Sequence, residues 1–233
     1  MTSITYVKRR SQIEDYFDRT AVETWSRLTS DAPVNSIRAT VRAGRETMRR
    51  TLLDWLPADL AGCRLLDAGC GTGALAVEAA RRGADVVAVD LSPTLIDLAR
   101  SRSAGVSGPG RITFSSDDML TPTLGDFDYV VAMDSLIHYS SRDMVDAIVG
   151  LSSRTRRSML FTFAPRTLAL AAMHCVGRLF PRANRAPAIQ PVGEREMIRF
   201  VVEEPGLVQW WVPRIRRVKN GFYISQAVEL RRR

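Results

Sequence analysis

The sequence predicts an α/β fold in which a doubly wound, mostly parallel sheet of seven strands ends in an antiparallel hairpin. Three observations predict it. From residue 63 onward, short apolar runs alternate with segments of helical spacing, which is the pattern of successive β-α-β units. A glycine-rich turn follows the first apolar run. Asn220-Gly221 separates the last two runs, and that dipeptide is typical of a tight hairpin turn.

The N-terminal part of the chain is predicted to be a helical arm. Apolar residues in 10–28 recur mostly at spacings of three and four, as they do on one face of a helix. The sequence DAPVN (31–35) interrupts this pattern, and a second helix is predicted at 36–56. We therefore expect residues 1–60 to form a helical lid over a domain that comprises residues 61–233.

The remaining elements follow in the order that a doubly wound sheet requires. Strands are predicted at 63–69, 85–90, 111–116, 127–133 and 158–165, and in the hairpin at 208–218 and 222–230. Helices are predicted at 74–83, 92–102, 141–154 and 194–204. Ser92 and Pro93 suit the cap and first position of the second of these helices. Ligands of such sheets bind at the carboxyl ends of the strands, so polar residues at those ends are candidate ligand contacts.

Charge is distributed unevenly along the chain. The net charge is +8, yet residues 151–233 alone contain 16 basic and 5 acidic residues, a net of +11. A basic region of this kind suits an anionic substrate, a membrane surface or nucleic acid, and it is equally compatible with an ordinary solvated surface.

Composition also indicates the cellular compartment in which the protein is expected. No run of about 18 apolar residues is present, so no membrane span is expected. The N-terminal residues lack the apolar core of a signal peptide. The three cysteines, Cys63, Cys70 and Cys175, are odd in number and lack metal-ligand spacing, which favours reduced thiols in the cytoplasm.

The turn LLDAGCGTG (65–73) is the first candidate binding element. Its glycines, Gly69, Gly71 and Gly73, follow a G-x-G-x-G pattern, whereas a pyrophosphate-binding turn follows G-x-G-x-x-G. Asp67 precedes the first glycine by two residues. A carboxylate at this position would repel a pyrophosphate, but it suits a cationic amine.

Acidic residues end the next two strands as well. Asp90, followed by Leu91, can accept hydrogen bonds from both hydroxyls of a ribose, although it could also cap a helix. Asp117 or Asp118, followed by Met119, could hold an adenine amino group, and the sequence does not decide between them. A ligand with an amine, a ribose and an adenine but no phosphate is S-adenosylmethionine, and these residues form its predicted site.

This pattern resembles the class I S-adenosylmethionine-dependent methyltransferases over residues 60–233. The resemblance does not identify the methyl acceptor. It does imply that residues after the fourth strand line the transfer site, which here are Met133, Asp134 and the rest of DSLIHYSS (134–141). Met133 is expected to contact the cofactor, and Asp134 is a candidate catalytic residue. From chemistry alone, His138 is a base, a hydrogen-bond donor to an anion, or a structural residue.

Six segments make the resemblance more specific: YFDRTAVETWSRL, VNSIRATVRAGR, LIHYSSRDM, FTFAPRTL, GRLFPRANRAP and NGFYISQAVEL. Together they resemble the magnesium-protoporphyrin IX O-methyltransferases in their bacteriochlorophyll-pathway form, over nearly the whole chain. That family methylates the carboxylate of the C13 propionate of magnesium-protoporphyrin IX, which gives the monomethyl ester. The resemblance also implies partnership with the porphyrin-binding subunit of magnesium chelatase and peripheral contact with the photosynthetic membrane.

The resemblance carries over to three residues of this chain. It implies that His138 is important for activity, and that Arg42 and Arg45 belong to a basic element of the lid, where Arg42 would contact the cofactor. The alternative for both arginines is a solvated helix face. Thr29 stands where plant and cyanobacterial members have a tyrosine, so no role is transferred to it.

The chemistry of the acceptor separates the remaining alternatives. A carboxylate is already ionised at neutral pH and needs no base, so His138 would donate a hydrogen bond to it or contact the porphyrin magnesium axially. A methyltransferase acting on a quinone-like ring would need a base. A porphyrin carrier or a nucleic-acid-binding module is a further alternative, but the sequence lacks the zinc or aromatic-plus-basic signatures of the latter. The apolar insertion 166–193 is expected to cap the substrate, or to lie in a membrane interface at 167–180.

Overall fold

The computed structural model describes residues 3–20, 36–106, 108–167 and 188–233. Within them lies one seven-stranded sheet, whose strands are β1 Arg64–Ala68, β2 Asp85–Asp90, β3 Arg111–Ser116, β4 Phe127–Ala132, β5 Thr155–Phe163, β6 Trp210–Asn220 and β7 Tyr223–Arg232. Their order is β3-β2-β1-β4-β5-β7-β6. Strands β1 to β5 are parallel, and β7 is antiparallel to both of its neighbours. The predicted fold class is therefore confirmed.

The helices lie between these strands and before them. They are α1 Ile4–Asp15, α2 Ser36–Trp55, α3 Ala74–Arg81, α4 Pro93–Ser103, α5 Ser141–Ser152 and α6 Glu194–Glu203. A π-helical turn, Tyr16–Thr20, continues α1, and a 3-10 turn, Leu136–His138, follows β4. Across the described ranges, none of the helices combines the length and apolar character that crossing a bilayer requires.

The central strands are buried on both faces, which is why they read as unbroken apolar runs. Side chains alternate between the faces, so that Leu65 packs with α2 and α3 while Leu66 packs with α1, α5 and α6. Met48 and Leu52 of α2 are fully buried in the first of these two clusters. Helix α2 thus shares the hydrophobic core of the sheet, and the predicted division at residue 60 stays a prediction.

Several predicted boundaries differ from the observed ones. Helix α1 begins at Ile4 rather than near residue 10, because the Ser3 hydroxyl accepts a hydrogen bond from the Tyr6 N–H at 3.0 Å and caps the helix there. The predicted helix to residue 28 is described only as far as Thr20. Strand β5 begins three residues before residue 158, since Thr155 pairs with Phe127 of β4.

The terminal hairpin is confirmed, with a small shift in its turn. Asn220 is still paired, opposite Tyr223, so the turn consists of Gly221 and Phe222. Gly221 has a φ of 52°, which a glycine adopts without strain at the first position of a tight hairpin turn. The Phe222 N–H donates to the Thr40 hydroxyl of α2 at 3.3 Å. The hairpin and the second helix of the arm are therefore in direct contact.

Candidate active site

The glycine turn after β1 has the conformation that its sequence requires. Gly69, Gly71 and Gly73 have φ values of 82°, 55° and 78°, a region that favours glycine. Gly69 also lies against Ser135, so that a Cβ atom at this position would overlap the serine Cβ. Its N–H donates to the Val89 carbonyl at 2.8 Å. The turn is thus held between the ends of β2 and β4.

Asp67 is a buried carboxylate with an unused acceptor. It is 2% exposed, and no hydrogen-bond donor in the described part of the chain reaches its Oδ2 atom. Burial raises the pKa of Asp67 to about 7, and the negative charge of Asp90 acts in the same direction, while the Ala76 N–H opposes it. A buried carboxylate in this state is stabilised by a cation. The arrangement fits the predicted ammonium partner.

Asp90 is held by the backbone around it. Its carboxylate accepts from the Gly71 N–H at 2.8 Å and from the Ser92 N–H at 3.1 Å. Burial raises the pKa of Asp90, and these N–H groups partly offset the effect. The geometry agrees with both predicted roles of Asp90, the ribose contact and the helix cap. A carboxylate with one bond to each oxygen retains lone pairs that can accept from ribose hydroxyl groups. Leu91 follows it and packs partly buried against the core.

The two carboxylates after β3 have different neighbours. Asp117 accepts from the Asp118 N–H at 2.8 Å and from the Thr121 hydroxyl at 2.6 Å, so it stabilises its own loop. Asp118 also accepts from the Leu120 N–H of this loop at 2.9 Å, and it faces α1, where it accepts from the Tyr6 hydroxyl at 2.9 Å and pairs with Arg10 at 3.1 Å. Which of the two carboxylates contacts adenine stays a prediction.

Arg154 supports the same loop from behind. Its guanidinium donates to the Thr121 carbonyl at 2.6 Å and to the carbonyl of Met119, a residue that is buried. The sequence did not predict this role, because an arginine that follows a helix carries no local signal of its carbonyl partners.

The N-terminal arm covers the ends of β2, β3 and β4. The Tyr6 and Tyr139 rings stack with centroids 4.6 Å apart. Asp18, on the π-helical turn, accepts from the Ser92 hydroxyl at 3.0 Å and from the Thr94 hydroxyl at 2.7 Å. These contacts place the arm against the loops that follow β2, β3 and β4. The role of the arm as a lid stays a prediction.

Asp134, predicted to be catalytic, occupies a dense hydrogen-bond network. Its carboxylate pairs with Arg45 at 2.6 Å and accepts from the hydroxyls of Tyr223, Thr162 and Ser225 at 3.0–3.2 Å. A direct role in the reaction stays a prediction.

Two further predicted cofactor residues flank this network. Met133 packs partly buried against the cluster that contains α2. Arg42 lies one helical turn before Arg45 and is half-buried, and its contact with the cofactor stays a prediction.

His138 ends the short turn that follows Asp134. The side chain is 7% exposed, and the edge of the Phe17 ring lies against it at a centroid distance of 6.0 Å. The carbonyl of Ile137 accepts from the Gln190 N–H at 2.8 Å. The arm, through Phe17, and the last part of the insertion, through Gln190, therefore both contact the histidine turn.

The insertion leaves and rejoins the sheet beside that turn. The Arg166 N–H donates to the Val192 carbonyl, and the Val192 N–H donates to the Ala164 carbonyl, each at 2.9 Å. Most of the predicted cap, residues 168–187, lies outside the described residues. In the ranges that the structure describes, no group of three or more histidine, cysteine or acidic side chains is placed to hold a metal ion.

The fold and the site together define a class I S-adenosylmethionine-dependent methyltransferase. Asp67, whose Oδ2 has no donor among the described residues, lies at the carboxyl edge of the parallel strands together with the glycine turn and the acidic residues that follow β2 and β3. Residues 65–157 match the family model described as a methyltransferase domain.

The chain belongs to the magnesium-protoporphyrin O-methyltransferase family. Residues 132–232 match the model of the magnesium-protoporphyrin IX methyltransferase C-terminus. The Rhodobacter capsulatus magnesium-protoporphyrin O-methyltransferase is 48% identical over 97% of this chain and 98% of its own length. The crystal structure of the Synechocystis magnesium protoporphyrin IX methyltransferase, with bound S-adenosylhomocysteine, superposes with a TM-score of 0.84 at 28% identity, covering 96% of this chain and all of that one.

A relative of the alternative class matches less of the chain. The ubiquinone biosynthesis O-methyltransferase of Xanthomonas oryzae pv. oryzae is 34% identical over 142 residues, which are 57% of this chain and 59% of that protein.

Proposed function

We propose that this enzyme transfers a methyl group from S-adenosylmethionine to the C13 propionate carboxylate of magnesium-protoporphyrin IX, in bacteriochlorophyll biosynthesis. The observation that carries this proposal is the match to the family over 97% of the chain. Residues 132–232, which include His138, also match the model of the magnesium-protoporphyrin IX methyltransferase C-terminus.

The residues at the carboxyl edge would hold the cofactor in a defined orientation. The bound cofactor supplies an electrophilic methyl group. Asp67 would pair with its amine, Asp90 would accept from its ribose hydroxyls, and Asp118 would accept from its adenine amino group. Since Tyr6 and Arg10 contact Asp118, the arm would share this carboxylate with the adenine.

His138 would position the acceptor. A propionate is ionised at neutral pH, since the reference pKa of a carboxylic acid is about 4, so the reaction needs orientation more than proton removal. A buried imidazole N–H can donate to one carboxylate oxygen and leave the other free to attack. The arm, through Phe17, and the flank of the insertion would enclose this pair and exclude water.

Delivery of the porphyrin forms a second part of the proposal. Magnesium-protoporphyrin IX is large, flat and poorly soluble, so it suits handover from a protein or a membrane surface. The basic C-terminal third, with a net charge of +11, supports an encounter with an anionic surface. We propose the porphyrin-binding subunit of magnesium chelatase as the donor, with peripheral membrane contact as the other route.

The acceptor is tested by direct assay. The purified protein is mixed with S-adenosylmethionine and magnesium-protoporphyrin IX, and the monomethyl ester is sought by mass spectrometry. Metal-free protoporphyrin and a hydroxylated quinone precursor run as parallel substrates. We expect ester from the magnesium porphyrin and no methylated quinone. Methylation of the quinone alone would refute the proposed acceptor.

The role of His138 is tested in the same assay. His138→Ala is expected to lower turnover by about 100-fold, the size of one catalytic contact, while S-adenosylhomocysteine affinity measured by calorimetry stays within about twofold. Turnover equal to that of the unmodified protein would exclude the positioning role.

A further inference from the structure

The turn that carries His138 starts from an unusual residue. Asp134 has a φ of 55°, and it is the one non-glycine residue with positive φ in the described part of the chain. Aspartate tolerates this region better than most residues, yet the conformation is uncommon and is held by the surroundings. The three residues that follow Ser135 are the 3-10 turn that ends at His138.

Side chains from three separate elements fix Asp134 in place. Arg45 of α2 reaches Oδ2 at 2.6 Å, Thr162 of β5 donates to Oδ1 at 3.1 Å, and Ser225 of β7 donates to Oδ1 at 3.2 Å. The Tyr223 hydroxyl lies 3.1 Å from Oδ1 and 3.0 Å from Oδ2. The backbone N–H of Asp134 donates to the Thr162 hydroxyl at 2.7 Å. Both carboxylate oxygens are therefore fully engaged.

The same turn touches both halves of the site. Ser135 lies against Gly69 of the cofactor turn so closely that a Cβ on the glycine would overlap it. The carbonyl of Ile137 is bound to Gln190 at the end of the insertion. A rotation of the backbone at Asp134 would therefore shift His138 relative to the glycine turn, and a displacement of about 1 Å between reacting groups can cost about 100-fold in rate.

Tyr223 is the aromatic member of this network, and its ring is closely packed. It is 8% exposed, it starts β7, and its ring packs against Gly44 of α2, where a Cβ atom would come within 2.5 Å of Cδ1. The ring is fixed by packing, so its hydroxyl is a rigid support for Asp134. We propose that Tyr223 is a positioning residue for methyl transfer: through Asp134 it sets the orientation of the His138 turn relative to the cofactor turn. This inference rests on the proposed function.

The test removes the Tyr223 hydroxyl and compares the effect with that of removing the hydroxyl of a second buried tyrosine. Tyr223→Phe keeps the ring and its packing. Tyr129→Phe is the control, since Tyr129 is also buried at 6% exposed but lies on β4, where its hydroxyl contacts Arg157 at 3.5 Å, away from the Asp134 network. We expect kcat to fall by about 10- to 100-fold in Tyr223→Phe, with S-adenosylhomocysteine affinity and the KM for S-adenosylmethionine within about twofold. Tyr129→Phe is expected to retain the kcat of the unmodified protein.

Hydrogen–deuterium exchange gives a readout that does not depend on the acceptor. The amides of residues 135–139 are expected to exchange faster in Tyr223→Phe and at the original rate in Tyr129→Phe. If the unmodified protein forms no ester, the proposed function fails, while the exchange data still decide whether Tyr223 holds the turn. Unchanged exchange and unchanged kcat in Tyr223→Phe, or an equal loss of kcat in both variants, would overturn the inference.

A second substitution keeps the inference testable if Tyr223→Phe fails to fold. Ser225→Ala removes one weaker donor to Asp134 and leaves the packing of Tyr223 intact. It is expected to lower kcat by a smaller factor, about 3- to 10-fold, and to accelerate exchange over the same residues. Exchange and kcat equal to those of the unmodified protein in Ser225→Ala, where Tyr223→Phe is not folded, would count against the network as a positioning device.

Discussion

If Asp67 pairs with the amine of the cofactor, cofactor affinity should depend on pH. The buried carboxyl has a pKa of about 7 in the free protein. An ammonium group beside it favours the ionised form, so binding releases a proton and the pKa falls in the complex. Affinity should therefore rise with pH up to about 7 and level off above it. The ligand amine remains protonated over most of this range, because α-amino groups titrate near pH ~8.

The size of the effect follows from the ionised fraction. About three quarters of Asp67 is ionised at pH 7.5 and about one thirtieth at pH 5.5, if a single pKa of about 7 applies. If the ammonium keeps Asp67 ionised in the complex over this range, the dissociation constant of S-adenosylhomocysteine should increase by the ratio of these fractions, about 25-fold, between pH 7.5 and pH 5.5. Isothermal titration calorimetry in buffers of different ionisation enthalpy measures both the constant and the number of protons released.

Asp67→Asn isolates this carboxyl from Asp90, whose pKa is also raised by burial. The variant should bind S-adenosylhomocysteine about 10- to 100-fold more weakly at pH 7.5, as expected for one charge-assisted bond, and its pH dependence should be much flatter. A variant that keeps the full pH dependence would refute the assignment of the proton to Asp67.

Folding stability provides the control for this variant. Because burial raises the folded-state pKa of Asp67 from its ordinary value of 3.8 to about 7, the stabilisation that Asp67 provides is complete below pH ~4 and is lost as the pH rises through about 7. The cost of ionisation in the free protein is about 4 kcal/mol at pH 8, since each pKa unit corresponds to about 1.4 kcal/mol. Asp67→Asn should therefore melt at a higher temperature than the unmodified protein at pH 8. Weak binding together with a lowered melting temperature would indicate a folding defect instead.

Two further predictions concern the turn after β1 and the arm. Gly69→Ala adds a Cβ that overlaps Ser135, at a position where φ is 82°. The substitution should lower the free energy of unfolding by about 2–3 kcal/mol in urea denaturation and weaken S-adenosylhomocysteine binding at least tenfold. Binding of normal strength would refute the close approach of Gly69 to Ser135. Arg10→Ala removes the partly exposed ion pair between Arg10 and Asp118. The free energy of unfolding should change by less than about 1 kcal/mol, while the amides of α1 exchange faster with deuterium. Unchanged exchange would show that this ion pair does not hold the arm.

The sequence predicted the sheet and the positions of Asp67 and Asp90 because these depend on local patterns. An apolar run marks each buried strand, with Asp67 one residue before the end of β1 and Asp90 at the end of β2. The start of α1 depended on a cap at Ser3 that precedes the apolar pattern. The arm contacts could not be predicted, because Tyr6 and Asp118 lie 112 residues apart and no periodicity links them.

Asp67 and Asp134 differ in how much of their hydrogen-bond surroundings the sequence could predict. Asp67 lies one residue before the end of β1 and is buried, and Asp134 lies two residues after the end of β4 with a side chain that is 6% exposed. Asp67 lacks a donor at Oδ2 in the described chain, whereas Asp134 is bound by groups from α2, β5 and β7. Asp67 therefore keeps one oxygen without a donor among the described residues, whereas both oxygens of Asp134 are engaged. The donors of Asp134 follow it by up to 91 residues or precede it by 89, so the sequence alone could not predict this difference.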